Sequence, residues 1–188
     1  QKATLYIDDA HGFGVTGKGR GIAPELLKLV QPSSNLVVMV TLGKALGASG
    51  GVVLGSKQII EYLTQFSRPF IYDTAPPPVI AAAALEALSI LREDSKLLEV
   101  LEDNVRFFRD LAKECQIPVT TSDTPIQPIK IGDSSKALNI AKKLKTAGIY
   151  VRAIRPPTVP MGTARLRVTI SSQHTKSQIS QLVDNLSR

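Results

Sequence analysis

The segment TLGKALGASGG, residues 41–51, places one lysine in a glycine-rich turn between two apolar stretches. The stretches LVVMV before it, residues 36–40, and VVL after it, residues 52–54, are rich in β-branched side chains and predict two buried strands. Lys44 is therefore expected in apolar surroundings, where lysine is rare unless it is paired or reactive. Burial favours the neutral amine that forms a Schiff base, and the glycines let a bulky group approach the backbone.

Two other interpretations of this turn are open. A solvated lysine in an ordinary β-turn fits the stretch, taken by itself, equally well. A nucleotide-phosphate loop fits poorly, because that motif requires serine or threonine after its Gly-Lys pair and Ala45 stands there. Val38 also occupies the upstream position at which that motif has a glycine.

A second polar stretch, YIDDAHGFG at residues 6–14, ends a predicted buried strand over residues 3–7 with two acids and a histidine. Ligands collect at the carboxyl ends of strands in open α/β sheets, so Asp8 and His11 are candidates for a common site. A loop with glycines at 12, 14, 17, 19 and 21 follows. It lacks the dinucleotide-binding spacing, and we predict a flexible connection there.

The remaining sequence predicts helices and strands that alternate in type. In the first half we expect helices over residues 22–30 and 56–66, a turn over 32–35, an extended link over 68–74, and a long helix that starts at the prolines 76–78. The pattern breaks at residues 92–95, which sets a domain boundary between residues 1–92 and 93–188. Beyond it we expect a helix to residue 114, strands over 126–131, 149–154 and 166–170, and helices over 134–147 and 175–186. They predict a largely antiparallel sheet with helices on one face.

Composition limits the classes of function. The net charge is +7, but the basic residues are scattered and aromatic residues make up only 5%, so nucleic-acid binding is disfavoured. The single cysteine, Cys115, excludes an internal disulfide and suits the reducing cytoplasm. No apolar run is long enough to span a membrane, and no His, Cys and carboxylate spacing indicates a metal site.

The lysine turn, the DDAH stretch and the run RPPTVPMGTARLR at residues 155–167 together resemble the α-oxoamine synthases, which are pyridoxal 5'-phosphate (PLP) enzymes of aminotransferase fold type I. The resemblance implies an α/β fold in which residues 1–92 belong to the large PLP-binding domain and residues 93–188 form the small C-terminal domain. The resemblance implies about as many residues again upstream of this chain, and ordinary domain sizes agree with that length. The chain begins without methionine, so we expect it to be a C-terminal half that is inactive alone.

The resemblance also implies roles for individual residues toward the cofactor. Lys44 matches the Schiff-base lysine, Asp8 the acid that pairs with the pyridine nitrogen, and His11 the residue that hydrogen-bonds the phenolic oxygen. Thr41 is placed to reach the cofactor phosphate. Thr74 matches a threonine that contacts the phosphate held by the other subunit, which implies a homodimer with shared sites.

Arg155 and Arg167 match two positions that bind the amino-acid carboxylate in the family. Arginine suits this role because its guanidinium offers a planar fork to a carboxylate. We interpret Arg165 as a surface residue and His174 as a capping or surface residue. The chain departs from the family at Asp73, where relatives usually have a small hydroxyl residue, and this puts an acid beside the expected phosphate position.

The activity implied is a decarboxylative condensation of L-alanine with pimeloyl-CoA or a pimeloyl-carrier protein. A glycine-using CoA ligase of the same family is the nearest alternative. A non-catalytic binding subunit of the same fold is a second alternative, against which the retention of Lys44, Asp8 and His11 argues.

Overall fold

The computed structural model describes residues 3–29 and 35–187. The chain divides into two units, Gln1–Ser95 and Lys96–Arg188, each with its own three-stranded sheet. The turn expected at residues 32–35 lies for the most part outside the described residues, as does the last residue expected for the first helix.

The sheet of the first unit is built around its middle strand. Its strands are β1 (Leu5–Asp8), β2 (Leu36–Thr41) and β3 (Gly51–Leu54), in the order β1-β2-β3. β2 runs parallel to β1 and antiparallel to β3. The β-branched side chains of β2 are buried, as its composition predicts: Val37, Val38 and Val40.

The two outer strands are less buried than expected. Leu5 and Tyr6 of β1 are exposed, and so are Val53 and Leu54 of β3. Both strands lie at an edge of the sheet, and the described residues of this unit leave these side chains uncovered. The prediction of buried strands is therefore confirmed for β2 and wrong for β1 and β3.

Helices follow the strands of the first unit. Ser56 ends the link after β3 as an N-cap, since its hydroxyl accepts a hydrogen bond from the Ile59 amide at 3.4 Å. Pro78 begins the last helix of this unit. Proline suits the first turn because the amide hydrogen that it lacks would have no partner within the helix. The helices are α1 (Ala23–Leu29), α2 (Lys57–Phe66), α3 (Arg68–Ile71) and α4 (Pro78–Glu93).

The extended link expected over residues 68–74 is partly wrong, because α3 occupies its first half. Pro69 lies in the first turn and presets the helical φ angle. The Ile71 amide donates to the Ser67 carbonyl at 2.9 Å, and the Tyr72 amide donates to the Arg68 carbonyl at 3.1 Å. The chain then leaves the helix before Thr74.

The second unit is an antiparallel sheet packed against helices. Strand β6 is central, and the order is β4-β6-β5 with both pairs antiparallel. Alternate residues of β6 are buried, and α6 contacts all three strands, which confirms the expected sheet covered by helices on one face. The elements are α5 (Lys96–Glu114), β4 (Ile126–Gly132), α6 (Ser134–Thr146), β5 (Arg152–Ile154), β6 (Ala164–Thr169) and α7 (Lys176–Leu186).

The core of the second unit holds it together through apolar burial. Fully burying one large apolar side chain contributes about 1.5–3 kcal/mol relative to leaving it exposed. Five such side chains from both strands and helices meet there with almost no exposed surface: Phe108, Ile129, Leu144, Leu166 and Val183.

Strand β5 is shorter than the expected strand over residues 149–154. Gly148, with φ +80°, ends α6, and the Ile149 amide donates to the Leu144 carbonyl at 2.8 Å. This bond completes the end of the helix and keeps residue 149 out of the sheet. The start of α7 is fixed by a capping box between Thr175 and Gln178.

The turn before α7 is tied to α5. The buried Asn104 donates from Nδ2 to the carbonyls of Ser171 at 3.0 Å and His174 at 2.8 Å. His174 accepts the Ser171 amide at Nδ1, 3.0 Å away, so it caps this turn. Lys176 Nζ lies 2.5 Å from Asp103 Oδ2, and this hydrogen bond and charge lower the pKa of Asp103.

None of the helices in the described part of the chain combines the length and apolar composition that crossing a bilayer requires.

Candidate cofactor site

Asp8 and Thr41 end neighbouring parallel strands, so they lie at the same edge of the first sheet, the one formed by the carboxyl ends of β1 and β2. β1 and β2 are parallel, with Asp8 paired to Met39 and the Asp9 amide donating to the Met39 carbonyl at 2.8 Å. The carboxylate of Asp8 is exposed, and its Oδ1 accepts the Ala10 amide at 3.1 Å. The segments carrying His11 and Lys44 leave the sheet from this edge, as the sequence predicts for strand ends.

The glycine loop at residues 12–21 is folded on itself, and our prediction of a flexible connection there is wrong. The Gly14 amide donates to the Gly19 carbonyl at 2.9 Å, and the Gly21 amide donates to the Thr16 carbonyl at 2.9 Å. Phe13 and Arg20 form an isolated antiparallel bridge across the loop. The backbone of the loop therefore satisfies much of its own hydrogen bonding.

A buried acid, Asp9, lies inside this loop. Its side chain is 5% exposed, and Oδ2 accepts the Ile22 amide at 2.9 Å. A Cβ added at Gly12 would overlap Asp9 Oδ1, and one added at Gly21 would overlap Asp9 Oδ2. The two glycines are required because the loop backbone closes around the carboxylate.

The Lys44 turn is likewise organised by its own backbone. The Leu42 amide donates to the Gly50 carbonyl at 3.0 Å, and the Ala48 amide donates to the Leu42 carbonyl at 2.8 Å. Thr41 takes part, since its hydroxyl donates to the Gly50 carbonyl at 3.2 Å. Lys44 itself is exposed, so the expectation of apolar surroundings for its side chain is wrong: the flanking β2 is buried, but the turn projects beyond it.

The glycine loop and the lysine turn touch each other. Gly14 has φ +80°, and a Cβ added there would overlap the Cβ of Ala45, the residue after Lys44. This contact joins the segment that carries Asp8 and His11 to the turn that carries the lysine. The structure thus brings an amine, a carboxylate and an imidazole, all exposed, onto two adjoining segments of one sheet edge.

Thr74 follows α3 in the same unit and is exposed. Its backbone amide donates to Asp73 Oδ1 at 2.8 Å. The acid that departs from the family pattern therefore occupies, in this structure, an amide hydrogen that a phosphate oxygen could otherwise accept. That is the local consequence of Asp73.

The two candidate carboxylate-binding arginines lie in the second unit. Arg155 follows β5, and Arg167 lies in β6 opposite Pro128 of β4 and Arg152 of β5. Both candidates are exposed. Arg165 is half-buried, and its Nε donates to the Thr163 carbonyl at 3.1 Å, so it is anchored more firmly than a surface arginine.

Sequence reasoning missed Asp9 and Gly14 as residues that build the site. A signal for Asp9 exists in the doublet Asp8-Asp9, because successive residues leaving a strand point to opposite sides and one of two acids must then face inward. No local signal identifies Gly14, since its partner Ala45 is distant in sequence.

The donor set suits a cofactor with an aldehyde, a basic ring nitrogen and a phenolic oxygen. A primary amine can condense with the aldehyde, a carboxylate can hold a protonated ring nitrogen, and an imidazole can hydrogen-bond the phenolic oxygen. Lys44, Asp8 and His11 supply these groups, and their exposure leaves them accessible to such a molecule. The residues present therefore fit PLP.

Comparison with known proteins agrees with this chemistry. The aminotransferase class I and II family matches residues 1–186. The chain is 48% identical to an 8-amino-7-oxononanoate synthase of Stenotrophomonas maltophilia, over 98% of this chain and 45% of that protein. It is 46% identical to one of Pseudomonas entomophila, over 98% of this chain and 47% of that protein. The chain thus spans about half the length of these curated relatives.

Solved structures give the same result. The crystal structure of 8-amino-7-oxononanoate synthase from Francisella tularensis matches with a TM-score of 0.85 and 34% identity, over 97% of this chain and 53% of that one. A structure of SPT (serine palmitoyltransferase) with PLP matches with a TM-score of 0.87 and 27% identity, over 99% of this chain and 47% of that one. The chain therefore belongs to the aminotransferase class I and II family, and its relatives within that family are α-oxoamine synthases.

Proposed function

We propose that this chain is the C-terminal half of a PLP-dependent acyltransferase that condenses L-alanine with a pimeloyl thioester in biotin biosynthesis. The products are 8-amino-7-oxononanoate, CO2 and the free thiol of CoA or of a carrier protein. The observation that carries the proposal is the contact of Gly14 with Ala45, which seats the segment of Asp8 and His11 against the turn of Lys44. The similarity to 8-amino-7-oxononanoate synthases over nearly the whole chain supports the choice of substrates.

Each residue of the first unit has a distinct task in this reaction. PLP, when bound, supplies an electron sink for the α-carbon of the amino acid. Lys44 would hold the cofactor through its amine, and its Nζ would then take the α-proton of alanine. Asp8 holds a proton on the ring nitrogen by accepting its hydrogen bond, and His11 donates to the phenolic oxygen. Thr41 assists at the phosphate while its hydroxyl also closes the lysine turn.

The arginines of the second unit bind the carboxylate of the amino acid in this proposal. Arg155 and Arg167 are exposed and each offers a bidentate fork. In the condensation the alanine α-carbon forms a bond to the acyl carbon while the C–S bond of the thioester breaks. The carboxylate then leaves as CO2, and a proton replaces it on the same carbon.

We also propose a homodimer in which Thr74 of one subunit faces the phosphate bound by the other. Exposed apolar side chains on α2, on α3 and directly after α3 support such an interface, since exposed apolar surface of this kind marks a contact surface: Tyr62, Phe66, Phe70, Ile71 and Tyr72. The single free Cys115 supports a cytoplasmic location.

The test of the proposal compares the 188-residue chain with a full-length protein of the relatives' size that ends in this chain. With PLP, L-alanine and pimeloyl-CoA, the full-length protein should release CoA, and the 188-residue chain should not. Catalysis requires reacting groups held to about 1 Å, and a half site does not hold them. Equal rates of CoA release would show that the half is sufficient, and no release from the full-length protein would refute the assigned reaction.

Asp8 has its own test in the full-length protein. Asp8→Asn should keep PLP bound but slow the exchange of the alanine α-proton with solvent by about 10²–10⁴-fold, because the neutral amide does not hold the ring proton. Exchange is followed by NMR in D2O, and bound PLP by absorbance. Glu25→Gln, which neutralises an exposed acid of α1, serves as control. Unchanged exchange in Asp8→Asn would remove Asp8 from this role.

A further inference from the structure

Two arginines stand directly opposite each other in the sheet of the second unit. Arg152 of β5 pairs with Arg167 of β6, and both side chains are exposed. Directly opposed residues of an antiparallel pair have their Cβ atoms about 4.5–5.5 Å apart, and like charges placed there destabilise the pair. The repulsion between the two guanidinium groups lowers the stability of the sheet unless a bound anion neutralises their charge.

The rest of the same face carries further positive charge. Lys130 of β4 lies opposite Arg165 of β6, one step along the sheet from the arginine pair. The other outward positions of the three strands are uncharged, so no acid faces these side chains from the sheet itself. We call Lys130, Arg152, Arg165 and Arg167 the basic face.

The basic face is the side of the sheet that the helices of its unit leave open. The inward residues Ile129, Leu166 and Val168 are buried in the core with Leu144 of α6. The ion pairs found among the described residues, such as Lys176 with Asp103 and Arg109 with Asp123, include none of the four basic side chains. Their charge is therefore uncompensated within the described part of the chain.

We propose that three side chains of the basic face, Lys130, Arg152 and Arg165, bind the phosphate groups of the CoA thioester that serves as acyl donor. The inference rests on the proposed function, in which Arg155 and Arg167 take the amino-acid carboxylate. One carboxylate needs one or two guanidinium groups, so Arg152, Arg165 and Lys130 are in excess of that need. CoA carries a pyrophosphate and a further phosphate on its ribose, and arginine forks bind phosphate oxygens in pairs.

A nucleic acid is the other polyanion that such a face could attract, and the structure favours CoA. Proteins that bind single strands combine a basic groove with aromatic side chains on which bases stack. The outward positions of β4, β5 and β6 hold no aromatic residue. The face is also only three strands wide, which suits one small polyanion.

The test measures binding of CoA and of pantetheine to the 188-residue chain by calorimetry at low ionic strength. Pantetheine has the same thiol arm and no phosphate. CoA should bind, pantetheine should bind at least tenfold more weakly, and added salt should weaken only CoA. Equal affinity for the two ligands, or no binding of CoA, would overturn the proposal.

Charge-matched variants locate the site. Arg152→Gln should weaken CoA binding by about three- to tenfold, the range of one exposed charge-assisted contact. Lys143→Gln, which removes an equal charge from the last turn of α6, should leave the affinity unchanged. An equal loss in both variants would reveal nonspecific attraction. Tighter binding of a single-stranded oligonucleotide of CoA's charge, with the same dependence on Arg152, would assign the face to nucleic acid and refute the proposal.

The result of the CoA-binding test can be separated from the result of the test of the condensation reaction. Lys44→Ala removes the amine on which the PLP chemistry depends, but it lies in the first unit and leaves the basic face intact. The variant chain should bind CoA as the parent chain does. Loss of the condensation in the full-length Lys44→Ala protein, with CoA binding retained in the 188-residue variant chain, would then concern the reaction alone.

Discussion

Lys44→Ala should abolish the condensation activity of the full-length protein. Loss of proton transfer by a positioned side chain costs about 10²–10⁴-fold in rate, and loss of covalent capture of the cofactor adds to that. The measurement is CoA release from pimeloyl-CoA with L-alanine. Borohydride reduction of the PLP-loaded parent protein, followed by peptide mapping, should place the cofactor on Lys44.

A lysine in the same unit provides the control for this variant. Lys57 is exposed at the start of α2, and its Nζ lies 3.6 Å from Oε1 of Glu61, one turn later in the same helix. Lys57→Ala should retain the activity and the labelling. Cofactor attached to a lysine other than Lys44, or undiminished CoA release by Lys44→Ala, would disprove the assignment.

Gly21→Ala should destabilise the first unit by about 2–5 kcal/mol. The residue has φ +76°, where a left-handed conformation costs a side chain about 1–2 kcal/mol. The new methyl group would also overlap the buried carboxylate of Asp9, and overpacking of this kind costs about 1–3 kcal/mol. The carboxylate cannot easily withdraw, because Oδ2 accepts the Ile22 amide.

Native-state hydrogen exchange of the β2 amides in the 188-residue chain measures this effect for the first unit. Gly47→Ala is the matched control: Gly47 has φ +60°, and a Cβ there meets nothing within 4 Å. It should cost only the conformational part, about 1–2 kcal/mol. Equal losses in the two variants would mean that the fit of the loop around Asp9 contributes nothing to stability.

The glycine loop shows why Asp8 and Asp9 cannot be exchanged. The two acids are neighbours and chemically alike, yet one is exposed at the strand end and the other is enclosed by Gly12 and Gly21. Asp9 holds the loop in shape, and the loop in turn contacts the lysine turn through Gly14. The acid left outside is the one available to a cofactor.

The features that could be predicted from the sequence are those that depend on neighbouring residues. The β-branched run identified β2, and the break in the helical pattern at residues 92–95 separated α4 from α5. The lysine between glycines and the acids before His11 indicated a Schiff-base site because each needs only neighbouring residues to be recognised. The family follows from the same motifs.

The features that join distant segments could not be predicted from the sequence and are seen only in the folded chain. The contact of Gly14 with Ala45, the enclosure of Asp9 and the pairing of Arg152 with Arg167 each depend on packing or strand register, which no short window of sequence contains. The exposure of Lys44 is a further case, because burial depends on what covers a turn rather than on the residues within it. Sequence periodicity specifies which side chains share a face of a strand, whereas the long-range fold specifies what that face meets.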